Sequence, residues 1–300
     1  MLSNAIEALR CPVCQGDCRL SEGSPRAVVC AAGHVFDAAK QGYFNLLTGK
    51  GTVFEADSAE MVAARQRFLD AGHYAGMADA VAGLAAESLQ GPTPLVLDAG
   101  TGTGHYLRAV LDKSPGACAV GLDISKFALR RAARLNPEVA NVVWDIWRPL
   151  PLAGRSVDVV MVVFAPRNAA EFARVLRPGG KLVVVTPRPG HLAEAARLTG
   201  MLSIQEDKAE RLVESVAGHF SFEGSEDLDI PLLLGPAELA DLAFMGPAGH
   251  HIDADELAAS VEASGPVSTE ARFSISVFAP RVSAPLTWAS ARARMEEQRL

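Results

Sequence analysis

Cys11, Cys14, Cys30 and His34 form a Cys-x2-Cys pair and a Cys-x3-His pair separated by fifteen residues. Thiol and imidazole pairs at this spacing sit on tight turns whose side chains converge on one ion, the pattern of a four-ligand structural zinc site. Gly33 suits closure of the second turn. Cys18 stands four residues beyond Cys14, is less compatible with the same turn, and reads as a bystander thiol. A fragment this small cannot order itself by apolar burial, and metal ligation would contribute on the order of 10 kcal/mol. The competing reading is a set of buried or redox cysteines.

A second set of residues follows in "VLDAGTGTGHY", which gives Asp98, Gly100, Gly102 and Gly104 directly after an apolar strand. Glycines at the carboxyl end of a strand let the backbone approach a ligand closely. Dinucleotide folds use G-x-G-x-x-G, whereas these glycines recur every second residue behind an acid. Asp123 closes the next strand, "ACAVGLD", where a carboxylate can accept hydrogen bonds from ribose hydroxyls. Asp145, in "VVWDIW", ends the third strand, where an acid can take an adenine amino group. Phe164, Ala165 and Pro166 end the fourth, on the rim where a substrate would meet a methyl donor. Acids and glycines at successive strand ends predict S-adenosylmethionine binding.

The elements that must position these residues are legible as a pattern. "PLVLDAG", "ACAVGLD", "NVVWD", "VDVVMVVFAP" and "KLVVVTP" read as strands, the first two and the fourth each followed by a helix. Continuous Val-rich strands joined by helices imply a parallel sheet covered on both faces. "AAEFARVLRPGG" is expected to be helical until Pro178-Gly179-Gly180. Asp57 with Glu60 predicts a capping box for a helix whose buried face holds Met61, Ala64 and Phe68, ending near Gly72. A further helix is expected from Ala75 to Leu89, and "ARFSISVFAP" as a closing strand. The expected division is a zinc module at 1–48, a helical linker at 49–93, the α/β domain at 94–281 and a tail at 282–300 without an assigned role.

Three hundred residues with 49% hydrophobic content allow a sizeable core. No apolar run approaches the ~20 residues of a membrane helix. "MLSNAIEALRCPVC" has no basic region followed by a long apolar stretch, so the expected compartment is the cytoplasm, where thiols stay reduced. The net charge of −7 argues against unselective coating of nucleic acid and leaves a local basic patch open.

Residues 94–186 resemble a class I S-adenosylmethionine-dependent methyltransferase, a Rossmann-like α/β fold with a seven-stranded sheet whose last strand is antiparallel. The zinc pattern, "FDAAKQGYFNLL" (Phe36–Leu47), "DSAEMVAARQRFLDAGHY" (Asp57–Tyr74), "RVLRPGG" and "TPRPGHL" together resemble the bacterial rRNA large-subunit methyltransferase A family. The likeness covers residues 10–195. That resemblance implies methyl transfer to guanine N1 in a domain II hairpin of 23S rRNA and a homodimer whose paired zinc modules grip RNA, while the lack of a membrane-length apolar run predicts no membrane partner. One branch of the family confers resistance to macrolides such as tylosin. The resemblance also adds Tyr74, Gly102, Thr103 and His191 as cofactor contacts and matches Cys11, Cys14, Cys30 and His34 to the zinc ligands. This chain departs from it at Thr103, where the family commonly has an acid, and at Ala56, where it commonly has glycine.

No residue stands out as a general base, and Phe164, Pro166 and Arg167 are the candidates near the target guanine. Candidate RNA contacts are Arg19, Arg26, Lys40, Lys50, Arg65 and Arg67, with Lys126, Arg130, Arg131 and Arg134 as surface charges of one helix. Two other readings remain at this point: a small-molecule methyltransferase with the zinc module as a lid, and a non-catalytic RNA-binding protein with a relic cofactor fold.

Overall fold

The computed structural model describes residues 1–49, 51–201, 208–246, 249 and 254–281. Lys50 and the tail at 282–300 lie outside the described residues. The chain opens with a short helix α1 (Leu2–Glu7), which the sequence pattern does not announce. Strands β1 (Cys18–Ser21), β2 (Ser24–Cys30) and β3 (Val35–Asp37) then form a small antiparallel sheet in the order β1-β2-β3. A two-residue strand β4 (Phe44–Asn45) leaves this module and joins the main sheet.

Helices α2 (Ala59–Asp70) and α3 (Ala75–Ser88) precede the alternating region. That region runs β5 (Leu95–Ala99), α4 (His105–Lys113), β6 (Cys118–Asp123), α5 (Lys126–Leu135), β7 (Ala140–Val143), β8 (Val157–Val163), α6 (Ala169–Val175) and β9 (Leu176–Pro187). After α7 (Ala193–Thr199) and α8 (Lys208–Val216) come β10 (Phe220–Leu234), α9 (Pro236–Phe244), α10 (Ala254–Glu262) and β11 (Val267–Pro280).

The main sheet has the order β10-β11-β9-β8-β5-β6-β7-β4. Strands β5 to β9 are parallel, and β11 runs antiparallel between β9 and β10. This is the expected seven-stranded arrangement with β4 added at one edge, where Phe44 aligns with Val142 in parallel register. Side chains alternate between the faces of the sheet. Leu95, Leu97, Val120, Val160 and Val162 pack in one cluster with Ile6 and Leu9 beside α1 and with Phe172 of α6. Val96, Ala119, Val159, Met161 and Val183 pack in another with Met77 and Val81 of α3 and Leu107 and Val110 of α4. Cys11, Val28 and Phe44 belong to the first cluster, so the zinc module shares its core with the large sheet. Among the described residues, no helix is long and apolar enough to cross a membrane.

Two local expectations are corrected. Ser58, not Asp57, caps α2: its hydroxyl accepts the Met61 N–H at 3.2 Å, and Asp57 is drawn instead into an ion pair with Arg65. Helix α6 ends at Val175, five residues before Gly180, because Leu176 takes extended geometry and begins β9. Met61, Ala64 and Phe68 are buried on α2 as expected, and Gly72, at φ +84°, follows the end of the helix.

Candidate metal centre and cofactor cleft

The metal ligands come from two hydrogen-bonded turns. Cys11 N–H donates to the Gly16 carbonyl at 2.9 Å and Gln15 N–H to the Cys11 carbonyl at 2.8 Å, folding Cys14 back over Cys11. At the end of β2, Gly33 N–H donates to the Cys30 carbonyl at 3.0 Å, and Cys30 N–H to the His34 carbonyl at 3.1 Å. Gly33 has a φ of +83°, which explains a glycine in the second turn. The ligand atoms of Cys11, Cys14, Cys30 and His34 all lie within 4.8 Å of one another. Cys14 Sγ is 3.6 Å from Cys30 Sγ, Cys11 Sγ is 3.6 Å from His34 Nδ1, and Cys30 Sγ is 3.3 Å from the same nitrogen. A zinc tetrahedron with bonds of about 2.0–2.3 Å has edges of about 3.3–3.8 Å, so three thiolates and an imidazole nitrogen at these separations fit the ion. Cys18 is buried in β1, aligned with Cys30 across the ladder, and is not part of the cluster. Burial pushes its thiol up to about 12, with its cysteine neighbours adding to the effect.

The glycine loop turns at the carboxyl end of β5. Gly100 and Thr101 N–H groups donate to the Leu122 carbonyl at 2.8 and 2.9 Å, locking the loop to β6. Gly100, Gly102 and Gly104 have φ of +90°, +53° and +81°. A Cβ on Gly100 would fall 2.4 Å from the Ala165 Cβ, and one on Gly104 2.6 Å from Asn136 Nδ2. These glycines therefore supply both backbone conformation and clearance. Asp123 accepts the Gly102 N–H at 2.8 Å and the Ser125 N–H at 2.7 Å. Asp98 is buried with Oδ2 lacking a hydrogen-bond partner, and burial, reinforced by the Asp123 charge, lifts its carboxyl to about 7. A buried carboxylate with one unpartnered oxygen beside a glycine cradle fits a ligand that brings a cation, as the amino-acid end of S-adenosylmethionine does. Thr103 is buried in the same loop.

Asp145 is also buried at the end of the third strand of this series, but its oxygens are engaged. Oδ1 accepts the Trp147 N–H at 3.0 Å, and Oδ2 accepts the Thr52 hydroxyl at 2.9 Å. Arg148 reaches the Gly51 and Thr48 carbonyls, so Thr48, Gly51 and Thr52 are strapped onto this rim.

Tyr74, His191 and Phe164, separated in sequence, meet around Phe273. The ring centroids lie 5.0 Å (Tyr74), 4.9 Å (His191) and 5.6 Å (Phe164) from that of Phe273, a buried residue of β11. His191 Nδ1 accepts the Arg272 N–H at 3.0 Å, which anchors the ring to β11. Phe164 remains 47% exposed and adopts φ +56°, unusual for a bulky residue and frequent where structure holds a side chain for function. Pro166 follows on this rim, and Arg167 carries a buried Nε without a hydrogen-bond partner. Phe273 and Asn136 escaped the motif reading, because neither belongs to a motif: one looks like an ordinary strand residue, the other like a helix end.

The basic candidates divide. Arg67 is paired with Asp241 and Arg65 with Asp57, while Arg26 donates to the Ala39 carbonyl at 2.7 Å. Arg19 and Lys40 are exposed on the zinc module, and Lys126, Arg130 and Arg134 are exposed on α5.

A doubly covered sheet of this order, with an acid-glycine loop after its first long strand and a fused zinc ribbon, defines an S-adenosylmethionine-dependent methyltransferase with a structural zinc site. Residues 96–180 match the family described as "Methyltransferase domain", and residues 9–49 match the zinc ribbon described as "RlmA, N-terminal". The chain is 44% identical over 259 residues to the 23S rRNA (guanine(748)-N(1))-methyltransferase of Streptomyces fradiae, covering 86% of this chain and 91% of that one. It is likewise 44% identical over 295 residues to a Micromonospora griseorubida protein provisionally assigned as a 23S rRNA (guanine-N(1)-)-methyltransferase, covering 93% of this chain and 100% of that one. A demethylmenaquinone methyltransferase of Tropheryma whipplei is 38% identical over 97 residues, 30% of this chain and 40% of its own. The chain belongs to the 23S rRNA (guanine-N1)-methyltransferase family.

Proposed function

We propose that this protein transfers a methyl group from S-adenosylmethionine to N1 of a guanine in a domain II hairpin of 23S rRNA. The observation that carries the reading is the single hydrophobic cluster joining Cys11, Val28 and Phe44 of the zinc module to Val120, Val142 and Val160 of the sheet. It holds the zinc module, which faces RNA in this reading, in one core with the sheet that carries the proposed cofactor cleft. The division of labour follows that of the sequence: 1–48 for RNA, 49–93 as helical cover, and 94–281 for methyl transfer.

Bound S-adenosylmethionine supplies an electrophilic methyl group, and the chain aligns it with guanine N1. Tyr74, Asp98, Gly100, Gly102, Thr103, Gly104, Asp123, Asp145 and His191 form the cofactor cleft in this reading. Phe164 stacks on a guanine extruded from the hairpin, while Pro166 shapes the rim and Arg167 faces the base edge. Asp145 serves adenine after the Thr52 hydroxyl yields its place. The guanine N1 proton passes to solvent, Arg167 would stabilise the charge this leaves on O6, and the N1–methyl bond forms as the methyl–sulfur bond breaks, releasing S-adenosylhomocysteine. The protein acts in the cytoplasm as a homodimer with paired zinc modules, and its methylation protects ribosomes from tylosin-type macrolides.

Primer extension on 23S rRNA after incubation with protein and S-adenosylmethionine tests the central reading. N1 methylation blocks Watson–Crick pairing, so a stop is expected at a domain II hairpin guanine. Absence of any stop, with labelled methyl on a metabolite instead, overturns it. Sedimentation tests the dimer, and tylosin susceptibility of a host expressing the chain tests resistance.

A further inference from the structure

The sequence suggests an RNA contact for Arg65, but its surroundings point into the cofactor cleft. Arg65 Nη1 pairs with Asp57 Oδ2 at 2.5 Å, and Nη2 donates to the Met245 carbonyl at 2.7 Å, at the end of α9. A Cβ built on Gly102 would lie 3.8 Å from Arg65 Nη1, so the guanidinium rests against the middle glycine of the loop. Its charge and that of Asp57 act with opposite sign on Asp123, and it also acts on half-buried Tyr106 together with Asp98. Asp57, Asp98 and Asp123 thus converge on one end of the glycine loop, with Arg65 among them.

We propose that Arg65 binds the α-carboxylate of the cofactor's methionine moiety. The inference rests on the Asp98–Gly104 loop being the cofactor site. S-adenosylmethionine presents an ammonium, a sulfonium and a carboxylate at that end. The acids suit the two cationic groups, but a carboxylate entering among them meets like charge unless a cation compensates. A guanidinium has five N–H donors in a planar fork that matches a carboxylate, and Asp57 and Met245 engage two of the five. Those two partners also hold the group in place before a ligand arrives, which reduces the ordering needed on binding. Arg65 is therefore a cofactor-binding residue, whereas a purely structural Arg65 would only tie α2 to α9.

Calorimetric titration with S-adenosylhomocysteine and with its decarboxylated analogue separates these roles, because the analogue keeps the adenosine, thioether and amine. In Arg65→Gln, S-adenosylhomocysteine affinity is expected to fall about tenfold or more, while the analogue changes by less than about twofold. Arg65→Lys keeps the charge but loses the fork, and is expected to show the same discrimination to a smaller degree, which covers a glutamine variant that fails to fold. Equal losses for both ligands, or undiminished S-adenosylhomocysteine binding, overturn the proposal. Wild-type protein that binds neither ligand overturns the cofactor site itself, an outcome distinct from wild-type binding that Arg65→Gln leaves unchanged.

Discussion

The backbone N–H of Arg10 donates to the carbonyl of Pro151 at 2.9 Å, one residue before the first zinc ligand. Ala153 N–H donates to the Ala8 carbonyl at the same distance, and Leu9 bridges Leu152. The chain entering the zinc site is therefore stitched to the loop that follows β7. Zinc loss should loosen both parts together. Chelation or Cys11→Ser is expected to lower Tm by about 10 °C or more in one cooperative transition. Cys18→Ser should retain one zinc per chain by metal analysis. Two separate melting transitions, or zinc lost with Cys18, would contradict this coupling.

Gly100 and Ala165 meet at the junction of the glycine loop with the rim after β8. Gly100→Ala places a methyl group 2.4 Å from the Ala165 Cβ and imposes φ +90° on a residue that resists it. Destabilisation of about 1–3 kcal/mol is expected from strain and overpacking. S-adenosylhomocysteine affinity should fall along with Tm, read by calorimetry and thermal melting of the same preparation.

Asp98 gives the proposed cofactor site an expected pH dependence of definite sign. Its ordinary value near 3.8 is raised to about 7 in the fold, first by burial. The protonated form is the favoured buried form, so the stability contribution is complete below about pH 4 and is lost as pH rises towards 7. A cationic amino-acid end bound beside the carboxyl reverses the preference and expels the proton. Calorimetry at pH 6.5 in buffers of different ionisation enthalpy should register proton release on S-adenosylhomocysteine binding. Asp98→Asn should abolish that release, and affinity in the parent protein should weaken as pH falls below about 7.

The zinc ligands and glycine loop are legible in the sequence because each demands particular residue types at fixed short spacing. Turns at Gly33 and Gly104 have positive φ, and thiols that share an ion must be paired. Phe273 is not legible in this way. Its place under Tyr74, His191 and Phe164 is set by the antiparallel insertion of β11, and "ARFSISV" reads as any alternating strand. The end of α6 is misjudged because Leu176–Gly180 carries a turn signal that the sheet overrides by extending β9. The roles of Arg65 and Arg67 depend on Asp57 and Asp241, and the second of these partners lies far along the chain.

A buried ion pair holds the loop after β7 from the other side. Glu171 and Arg174 approach to 2.7 Å on α6, and Arg174 also donates to the Leu150 and Leu152 carbonyls at 3.0 and 2.8 Å. Truncating one partner leaves a buried charge alone, which costs about 3–5 kcal/mol. Arg174→Met is therefore expected to lower stability more than Glu171→Gln/Arg174→Met together. A double-mutant cycle by chemical denaturation reads the difference.

A substitution at Phe164 tests RNA engagement apart from cofactor binding. The ring is 47% exposed, rests on Phe273, and is held at φ +56° by the turn after β8. Replacing it removes little buried surface, so Phe164→Ala should shift Tm by only a few degrees. Stacking of one base on an aromatic ring is worth about 1–3 kcal/mol, which corresponds to about a 5- to 150-fold fall in kcat/KM on rRNA. S-adenosylhomocysteine affinity should stay within about twofold of the parent protein, since the lost contact involves the RNA base. Phe164→Tyr preserves the stacking face and should recover most of the activity. A Phe164→Ala protein that methylates rRNA normally would remove the stacking role. Equal loss of cofactor and RNA binding would instead make Phe164 a support for Phe273, because the two rings are in contact and the proposed cofactor cleft shares that hub.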